Sequence, residues 1–236
     1  MNNTRIPGVL GGLGPEASVD FMSRVLAATN ADSDQQHIRM LIDHNPTVPN
    51  RHAAIAGDAP SVAPQLIAMA QGLEQSGADF LVMVCNTAHA YSDEIQSSVS
   101  IPFISIIDVT VAAIADQPGS RVGVMAASGC LQANLYQDAL QAAGHEAICW
   151  DEQALEQFMA LVYRIKAGQR SPEITSSMQR LAAVLEFDGA DILIAGCTEI
   201  PLVLNAGGSA SPMLSSTDLL VAKTIELARG QCSLPD

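Results

Sequence analysis

One short segment occurs twice in this chain, and the repeat limits the possible folds more than any other feature. Residues 77–87 align without a gap on residues 189–199. Each copy reads as a turn, then an apolar run typical of a buried parallel strand, then a cysteine where the strand ends. Ligands bind at the carboxyl ends of strands in open α/β sheets, so Cys85 and Cys197 are predicted to lie at ligand sites.

Weaker similarities flank both copies and extend the repeat over most of the chain. Residues 5–10, before a glycine-rich turn, resemble residues 121–125, and residues 102–108 resemble residues 212–218. The pattern predicts an α/β fold with two pseudo-symmetric domains, each a mainly parallel sheet flanked by helices. The turn at residues 116–119 separates the repeats. Such halves usually meet about a cleft, so we expect the active site there, with one thiol from each side.

The chain is acidic and rich in apolar residues, which argues against several classes of partner. It has 236 residues, of which 48% are hydrophobic, and a formal net charge of −14. This charge opposes binding to nucleic acid or to an anionic membrane surface. The apolar runs are too short to cross a bilayer and the N-terminus lacks the pattern of a secretory signal, so a cytoplasmic protein is predicted.

The five cysteines are predicted to be reduced thiols. An odd number cannot pair completely within the chain, and the absence of a CxxC motif or a close Cys/His cluster predicts that no metal is bound. A buried cysteine at a strand end is most often a small apolar residue. That explanation is weaker for two cysteines at equivalent positions of a repeat, whereas Cys130, Cys149 and Cys232 are predicted to be structural.

The glycine-rich turn after the first strand supports an alternative function. Residues 12–17 fit the dinucleotide-binding pattern GxGxx(G/A), in which a glycine such as Gly12 lets backbone N–H groups approach a ligand. Asp43, after the next strand, is placed like the acidic partner of the ribose. A dinucleotide-dependent oxidoreductase is therefore an alternative. Against it, Pro15 removes one N–H donor and Glu16 brings negative charge to the helix N-terminus, where the pyrophosphate would lie.

Positive charges that can bind a carboxylate are scarce in this chain. Lys166 and Lys223 are its only lysines. Arg51 follows a loop with two prolines, which can hold the planar guanidinium over a site. Considered alone, Arg51 is better explained as a solvated loop residue, and Lys166 as an exposed charge at a helix C-terminus.

Two thiols on opposite sides of one carbon atom suit the removal and return of a proton. One thiolate removes the carbon-bound proton, and the other thiol delivers a proton to the opposite face, so the configuration is inverted. Residues 88–97 are predicted to form a helix directly after Cys85. A helix N-terminus at that place is expected to lower the thiol pKa and so favour the thiolate.

Five segments of the chain together resemble the aspartate/glutamate racemase family: residues 11–15 (GGLGP), 45–51 (NPTVPNR), 85–89 (CNTAH), 165–168 (IKAG) and 196–199 (GCTE). The resemblance covers nearly the whole chain. It implies a homodimeric racemase of aspartate or glutamate that needs no cofactor, neither pyridoxal phosphate nor metal. It also implies an N-terminal α/β domain of residues 1–100 and 211–236, on which the C-terminal helix packs back, and a second α/β domain of residues 101–210.

The same resemblance assigns roles by position. Cys85 and Cys197 would be the two catalytic bases. The residues that would bind the substrate are Arg51, Asn86, Thr87, Lys166 and Thr198. His89 and Glu199 are candidates for tuning the thiols or for orienting the substrate ammonium group, with Gly12 as a third candidate. A hydrogen-bonded structural histidine remains an equal explanation for His89.

Three positions depart from the family pattern and leave the choice of substrate open. Asn50 stands where the family commonly has the aspartate of a Pro-Asp-Arg motif, and Ala127 and Cys130 stand where it commonly has threonines. Loss of hydrogen-bonding side chains can shift specificity strongly. The alternatives are therefore two-cysteine isomerases or racemases that act on maleate, on hydantoins or on a broader range of amino acids. A catalytically silent ligand-binding protein, which would not need both thiols, is a further alternative.

Overall fold

The computed structural model describes residues 4–204 and 206–235, which form two parallel sheets of four strands each. The first sheet has the order β2-β1-β3-β4, built from β1 (Pro7–Gly11), β2 (Leu41–His44), β3 (Phe80–Met83) and β4 (Phe103–Ile104). The second has the order β6-β5-β7-β8, built from β5 (Arg121–Ala126), β6 (Glu146–Ile148), β7 (Ile192–Gly196) and β8 (Met213–Ser215). The two orders correspond strand by strand, so the predicted pair of pseudo-symmetric α/β units is confirmed.

Helices flank both sheets, as expected when parallel strands need crossover connections. The helices are α1 (Pro15–Ala28), α2 (Arg51–Ala56), α3 (Ala63–Gln75), α4 (Ser92–Gln96), α5 (Ile106–Ala112), α6 (Ser128–Gln132), α7 (Leu135–Ala142), α8 (Glu152–Lys166), α9 (Pro172–Phe187) and α10 (Ser216–Ala228). Across residues 4–204 and 206–235, none of these helices combines the length and the apolar character needed to cross a membrane.

The repeat extends to individual packing contacts. A Cβ atom at Gly8 in β1 would lie 2.7 Å from Cδ2 of Leu81, and one at Gly123 in β5 would lie 2.6 Å from Cδ2 of Leu193. Real Cβ atoms do not approach other carbons so closely, so each central strand needs glycine at this position for its neighbour to pack. The duplication therefore preserves side-chain packing as well as topology.

Strand residues alternate between a shared core and two outer cores. Val82 and Ile194 face the shared core, which joins both sheets through α1, α5, α7 and α10. Residues on the opposite faces pack under α3 in the first half and under α8 and α9 in the second. The sheets are therefore covered on both faces, which explains why their strands read as continuous apolar runs.

The two edge strands do not follow the expected division at residues 100 and 210. β4 pairs with β3, with Leu81 opposite Phe103, so it belongs to the first sheet. β8 pairs with β7, with Leu193 opposite Met213, so it belongs to the second. Helix α10 packs against α1 and α5. Each edge strand thus pairs with the strands that precede it in sequence. The boundary between the two sheets therefore lies near the turn at residues 116–119.

A serine cap lies at the end of each of the two edge strands and begins the next helix. Ser105 accepts a hydrogen bond from the backbone N–H of Asp108 at 3.1 Å, and Ser215 accepts one from Asp218 at 3.2 Å. A serine cap of this kind begins a helix, here α5 and α10, by satisfying a free N–H of the first turn. Residues 106 and 107 are therefore helical although their apolar sequence favours a strand.

Candidate active site

The strand ends that carry the repeated cysteines open onto one cavity between the halves. In each sheet the first strand of the half, β1 or β5, lies between the second and the third strands. This reversal of the strand order leaves a crevice at the carboxyl edge of the sheet. The cavity is tight, with about 10 Å³ open to the centre of a water-sized sphere. It is lined by Arg51, His52, Cys85, Asn86, Thr87, Ala127, Val162, Lys166, Cys197, Thr198 and Glu199. Every residue predicted to be catalytic or to bind substrate thus lines the same cavity.

Arg51 is held in the wall of the cavity by backbone carbonyls. Its Nη1 donates hydrogen bonds to the carbonyls of Pro49 at 2.9 Å and Val48 at 3.1 Å, and its Nη2 donates one to the carbonyl of Leu13. These bonds join the loops that follow β1 and β2. A guanidinium has five N–H donors, so two remain for a ligand. Within the described ranges no carboxylate lies within ion-pair distance of Arg51, so its charge is available to an anion.

Asn50 departs from the family pattern but keeps the local backbone in place. Its Oδ1 accepts hydrogen bonds from the backbone N–H groups of His52 at 2.9 Å and Ala53 at 3.4 Å, which caps α2. Asparagine and aspartate cap helices about equally well. Replacing aspartate by Asn50 therefore preserves the fold of this segment and removes a negative charge beside Arg51.

Lys166 and Glu199 form an ion pair inside the cavity. Nζ of Lys166, the last residue of α8, lies 2.9 Å from Oε1 of Glu199, whose side chain is only 5% exposed. Burial lowers the pKa of Lys166, but the Glu199 carboxylate and the neighbouring thiols outweigh this effect and raise the pKa above its usual value. Lys166 is therefore charged, and two of its three N–H donors stay available for a substrate.

Cys197 lies directly after β7 and shares the Glu199 carboxylate with Lys166. Its Sγ donates a hydrogen bond to Oε2 of Glu199 at 3.1 Å, and the hydroxyl of Thr198 lies 3.4 Å from the same oxygen. Burial, followed by the negative charge of Glu199, raises the pKa of the Cys197 thiol well above its usual value, although Lys166 acts in the opposite direction. In this arrangement Cys197 is a protonated thiol, ready to donate its proton.

Cys85 lies two residues beyond β3 and has a different environment. Nδ1 of His89 lies 2.8 Å from the carbonyl oxygen of Cys85, while Nε2 of His89 accepts a hydrogen bond from the N–H of Ile106 at 3.0 Å. The ring hydrogen therefore sits on Nδ1 and is donated to that carbonyl. Burial lowers the pKa of His89 to about 4, so the ring is neutral. His89 lies outside the cavity and holds the backbone of Cys85.

The helix expected over residues 88–97 is present, but it begins as a 3-10 helix and not as an α-helix. Thr87–Tyr91 forms a 3-10 helix, and the five-residue α4 begins only at Ser92. At the equivalent place after Cys197, the 3-10 helix Ile200–Leu202 is shorter still. Short helices have small dipoles at their ends. The dipole argument for a lowered thiol pKa therefore fails at Cys197, where burial and Glu199 dominate.

Asn86 and Thr87 lie between the two halves at the floor of the cavity. Oδ1 of Asn86 accepts a hydrogen bond from the Tyr136 hydroxyl at 2.7 Å, and Nδ2 donates to Oγ of Ser216 at 3.1 Å. This buried network joins the halves and leaves Asn86 one amide hydrogen for a ligand. The Thr87 hydroxyl makes no hydrogen bond to any residue in the described ranges, so it remains available to a substrate.

The glycine-rich turn is occupied by protein groups where a dinucleotide would need space. Gly12 has a φ of +82°, and a Cβ atom there would lie 2.5 Å from the backbone of Asn45, so Gly12 packs the β1 turn on the β2 turn. A Cβ atom at Gly14 would clash with Oε1 of Glu199. A carboxylate at this turn repels a pyrophosphate. The geometry disfavours the dinucleotide alternative and gives Gly12 a structural role outside the cavity.

His52 lines the cavity but was not singled out from the sequence. Its Nδ1 accepts a hydrogen bond from the N–H of Gly129 at 3.2 Å, across the two halves. The available signal was its position directly after Arg51. That signal was insufficient because residues 51–56 were not predicted to form α2, and so nothing placed the His52 ring over the site.

The other two departures from the family pattern have unequal consequences. Ala127 lines the cavity, so a hydroxyl that could contact substrate is missing there. Cys130 is fully buried in the shared core and does not line the cavity, and burial raises the pKa of its thiol far above the usual value. Only the change at Ala127 therefore alters the surface that a substrate contacts.

Several racemases are found among the known proteins that this chain resembles. The family model described as Asp/Glu/Hydantoin racemase matches residues 10–224. Among curated proteins, the chain is 29% identical over 224 residues to the broad specificity amino-acid racemase RacX of Bacillus subtilis (strain 168), covering 92% of this chain and 96% of that protein. It is 31% identical over 157 residues to the glutamate racemase of Gloeobacter violaceus, covering 66% of this chain and 58% of that protein.

Solved structures with the same fold include two racemases. The aspartate racemase of Picrophilus torridus matches with a TM-score of 0.85 and 23% identity, over 98% of this chain and 96% of that one. The glutamate racemase of Francisella tularensis in complex with D-glutamate matches with a TM-score of 0.68 and 17% identity, over 98% and 83% of the two chains. At these identities the similarity establishes a shared fold.

Proposed function

The chain belongs to the Asp/Glu/hydantoin racemase family, and from this premise we propose that it racemises an acidic amino acid, aspartate or glutamate, with Cys85 and Cys197 as its two bases. Amino-acid racemases are isomerases, and this coarser assignment follows from the family match. The observation that carries the finer proposal is that both repeated cysteines line one cavity together with Arg51 and Lys166.

The charges that line the cavity favour an acidic substrate. Arg51 and Lys166 are positive and Glu199 is negative, which leaves one net positive charge before either cysteine ionises, if His52 is neutral. An acidic amino acid has two carboxylates and one ammonium group, so its net negative charge is opposite in sign to that of these side chains. Arg51 and Lys166 have free N–H donors for the carboxylates. Asn86, Thr87 and Thr198 are proposed to position the α-carboxylate.

The proposed reaction transfers one proton at each face of the α-carbon. Cys85, as the thiolate, removes the α-proton and becomes a thiol, which leaves an enediolate-like carbanion. Cys197 then donates its thiol proton to the opposite face and becomes a thiolate. The cationic side chains stabilise the negative charge that develops on the carboxylate. The opposite enantiomer reacts in the reverse direction, with the two cysteines exchanging roles.

A broader range of amino acids is the second candidate, and one contact favours it. Ala127 removes a hydroxyl from the cavity wall, so one hydrogen bond that could select a substrate side chain is absent. The relative from Bacillus subtilis that aligns over nearly the whole chain is named a broad specificity racemase. We also propose that the protein is a cytoplasmic homodimer and that a small amino acid is its only ligand.

An exchange screen tests the function and identifies the substrate. Each common amino acid is incubated with the protein in D₂O without added cofactor, and the α-hydrogen signal is followed by proton NMR. We expect aspartate or glutamate to lose this signal fastest. Faster exchange of neutral amino acids would replace the acidic proposal by the broader one. Absence of exchange for every amino acid, with a folded protein, would contradict both.

A further inference from the structure

His52 faces the cavity from the first half and is anchored by the second. His52 is the second residue of α2, and its Nδ1 accepts a hydrogen bond from the N–H of Gly129, the second residue of α6, at 3.2 Å. The approach is close, since a Cβ atom at Gly129 would lie 2.9 Å from that nitrogen. The bond therefore fixes both the ring orientation and the position of its hydrogen.

The ring is neutral and has one donor unused. Burial, followed by the charges of Lys166 and Arg51, lowers the pKa of His52 to about 4, while Glu199 raises it slightly. A neutral ring that accepts at Nδ1 carries its hydrogen on Nε2. Nε2 has no hydrogen-bond partner among residues 4–204 and 206–235. It is also not fully buried, unlike the other unpaired polar atoms of the interior. The N–H at Nε2 is therefore open to the cavity or solvent.

We propose that His52 is a substrate-binding residue whose Nε2–H donates a hydrogen bond to the substrate carboxylate that Arg51 and Lys166 attract. This inference rests on the proposed function and adds a specificity-determining residue to it. Gly129 acts through His52 as a positioning residue, because its N–H selects the tautomer that can donate.

An uncharged donor suits this place for an electrostatic reason. Arg51 and Lys166 already surround His52, and a third positive charge would be repelled by both. A neutral N–H strengthens recognition of a carboxylate without that repulsion. A hydrogen bond to a charged group is worth more than one between neutral groups, so its loss has a measurable effect. A substrate without a matching oxygen would leave the donor unpaired and would bind less well.

Two variants separate the substrate donor from the bond across the halves. In His52→Asn, the side-chain oxygen can replace Nδ1 as the acceptor for Gly129, but no donor reaches the position of Nε2. In His52→Gln, the amide N–H can reach that position, but no acceptor faces Gly129. His44→Asn is the matched control, because His44 is exposed and lies outside the cavity.

We expect His52→Asn to keep the melting temperature of the wild type and to lower kcat/KM for the acidic substrate about tenfold or more, mainly by raising KM. His52→Gln is expected to melt at a lower temperature and to retain kcat/KM within about threefold. His44→Asn should change neither quantity. Wild-type kcat/KM in His52→Asn, or equal losses in the Asn and Gln variants, would overturn the proposal.

A binding measurement keeps the test independent of catalysis. Titration of the wild type with aspartate and glutamate, followed by calorimetry, gives Kd whether or not the α-hydrogen exchanges. Weaker binding of about tenfold in His52→Asn, with retained binding in His52→Gln, supports the role of His52 even if racemisation is absent. An unchanged Kd in His52→Asn overturns it, whereas absence of exchange in the wild type overturns only the proposed reaction.

Discussion

The two halves of the molecule share a scaffold but give their cysteines different surroundings. Each cysteine follows the strand beside the central one, and Gly8 and Gly123 pack against matching leucines. Cys197, however, donates to the carboxylate of Glu199, and burial with that charge raises its pKa. In the first half, His89 contacts the backbone carbonyl of Cys85 and lies outside the cavity. The repeat therefore accounts for the positions of the two cysteines, and the residues beside them account for their different surroundings.

In the proposed reaction, this difference gives the two equivalent cysteines unequal roles. Cys197 is the thiol of the resting protein, since Glu199 accepts its hydrogen and opposes its ionisation. Cys85 would then act first as the base. Two bases that work on opposite faces must share one proton, so that one is a thiol when the other is a thiolate. A carboxylate beside one thiol opposes its ionisation, so the proton stays on that thiol. The different surroundings of the two thiols decide which of them carries the proton before substrate binds. They do not change the equilibrium constant of the racemisation, which is one.

The largest expected effect is the loss of either thiol. Cys85→Ala and Cys197→Ala are each expected to lower the rate of racemisation by about 10² to 10⁴, the usual contribution of a general acid or base. Initial rates for each enantiomer, measured by polarimetry, check this. Cys149→Ala, at a half-buried thiol outside the cavity, is the control and should keep the wild-type rate. If either variant kept the wild-type rate, the cysteine replaced in it would not be one of the two catalytic bases.

The second effect is on stability and concerns the support of Cys85. The pKa of His89 is about 4 in the folded protein and 6.5 in an ordinary setting, so the unfolded chain takes up the proton first as the pH falls. Its contribution to stability is present above pH 6.5 and is lost between pH 6.5 and about 4, amounting to about 3 kcal/mol. Urea unfolding at both ends of this window should show a smaller loss in His89→Gln than in the wild type. Equal losses would contradict the neutral, buried assignment.

The third effect tests the asymmetry itself. In Glu199→Gln the carboxylate is lost, so the pKa of Cys197 should fall and the resting proton should shift toward Cys85. We expect kcat in the two directions to change by unequal factors, about tenfold apart, as a shift of one pKa unit implies. The two kcat/KM values must stay equal, because the equilibrium constant of a racemisation is one. Glu94→Gln, at an exposed residue of α4, is the control, and equal changes in both kcat values would refute the bias.

The smallest effect concerns the contact between the glycine turn and Glu199. In Gly14→Ala the added methyl group displaces Oε1 of Glu199, which should weaken its contacts with Lys166 and Cys197. We expect kcat/KM to fall about fivefold, since small displacements in an active site reduce the rate. Gly72→Ala in α3, where a Cβ atom meets nothing within 4 Å, should keep the rate and stabilise the helix by about 0.5–1 kcal/mol. Equal kinetics in both variants would show that this contact is unimportant.

The sequence predicted the elements that carry the repeat and missed what depends on local capping or distant contacts. The strands before Cys85 and Cys197 were evident from their apolar runs. The apolar residues 103–107 favour a longer strand than β4, because Ser105 caps a helix that begins within this apolar sequence. Strand β6 was not predicted, since its three residues carry too little pattern.

The candidate site shows the same limit. Residues next to the repeated cysteines, together with Arg51 and Lys166, could be named from the sequence because motif and charge single them out. The ion pair of Lys166 with Glu199 could not, since it joins the end of α8 to the residues after β7. His52 was missed for the same reason: its partner, Gly129, belongs to the other half and is 77 positions away in sequence.

The proposed reaction requires the two thiols to act on opposite faces of one α-carbon. It is tested most directly by starting with a single enantiomer in D₂O and measuring deuterium at Cα of both enantiomers at low conversion. Two bases predict that the product enantiomer carries deuterium from the opposite thiol while the remaining substrate retains its hydrogen. Equal deuterium in the recovered substrate and in the product would indicate one base serving both faces and would contradict the claim.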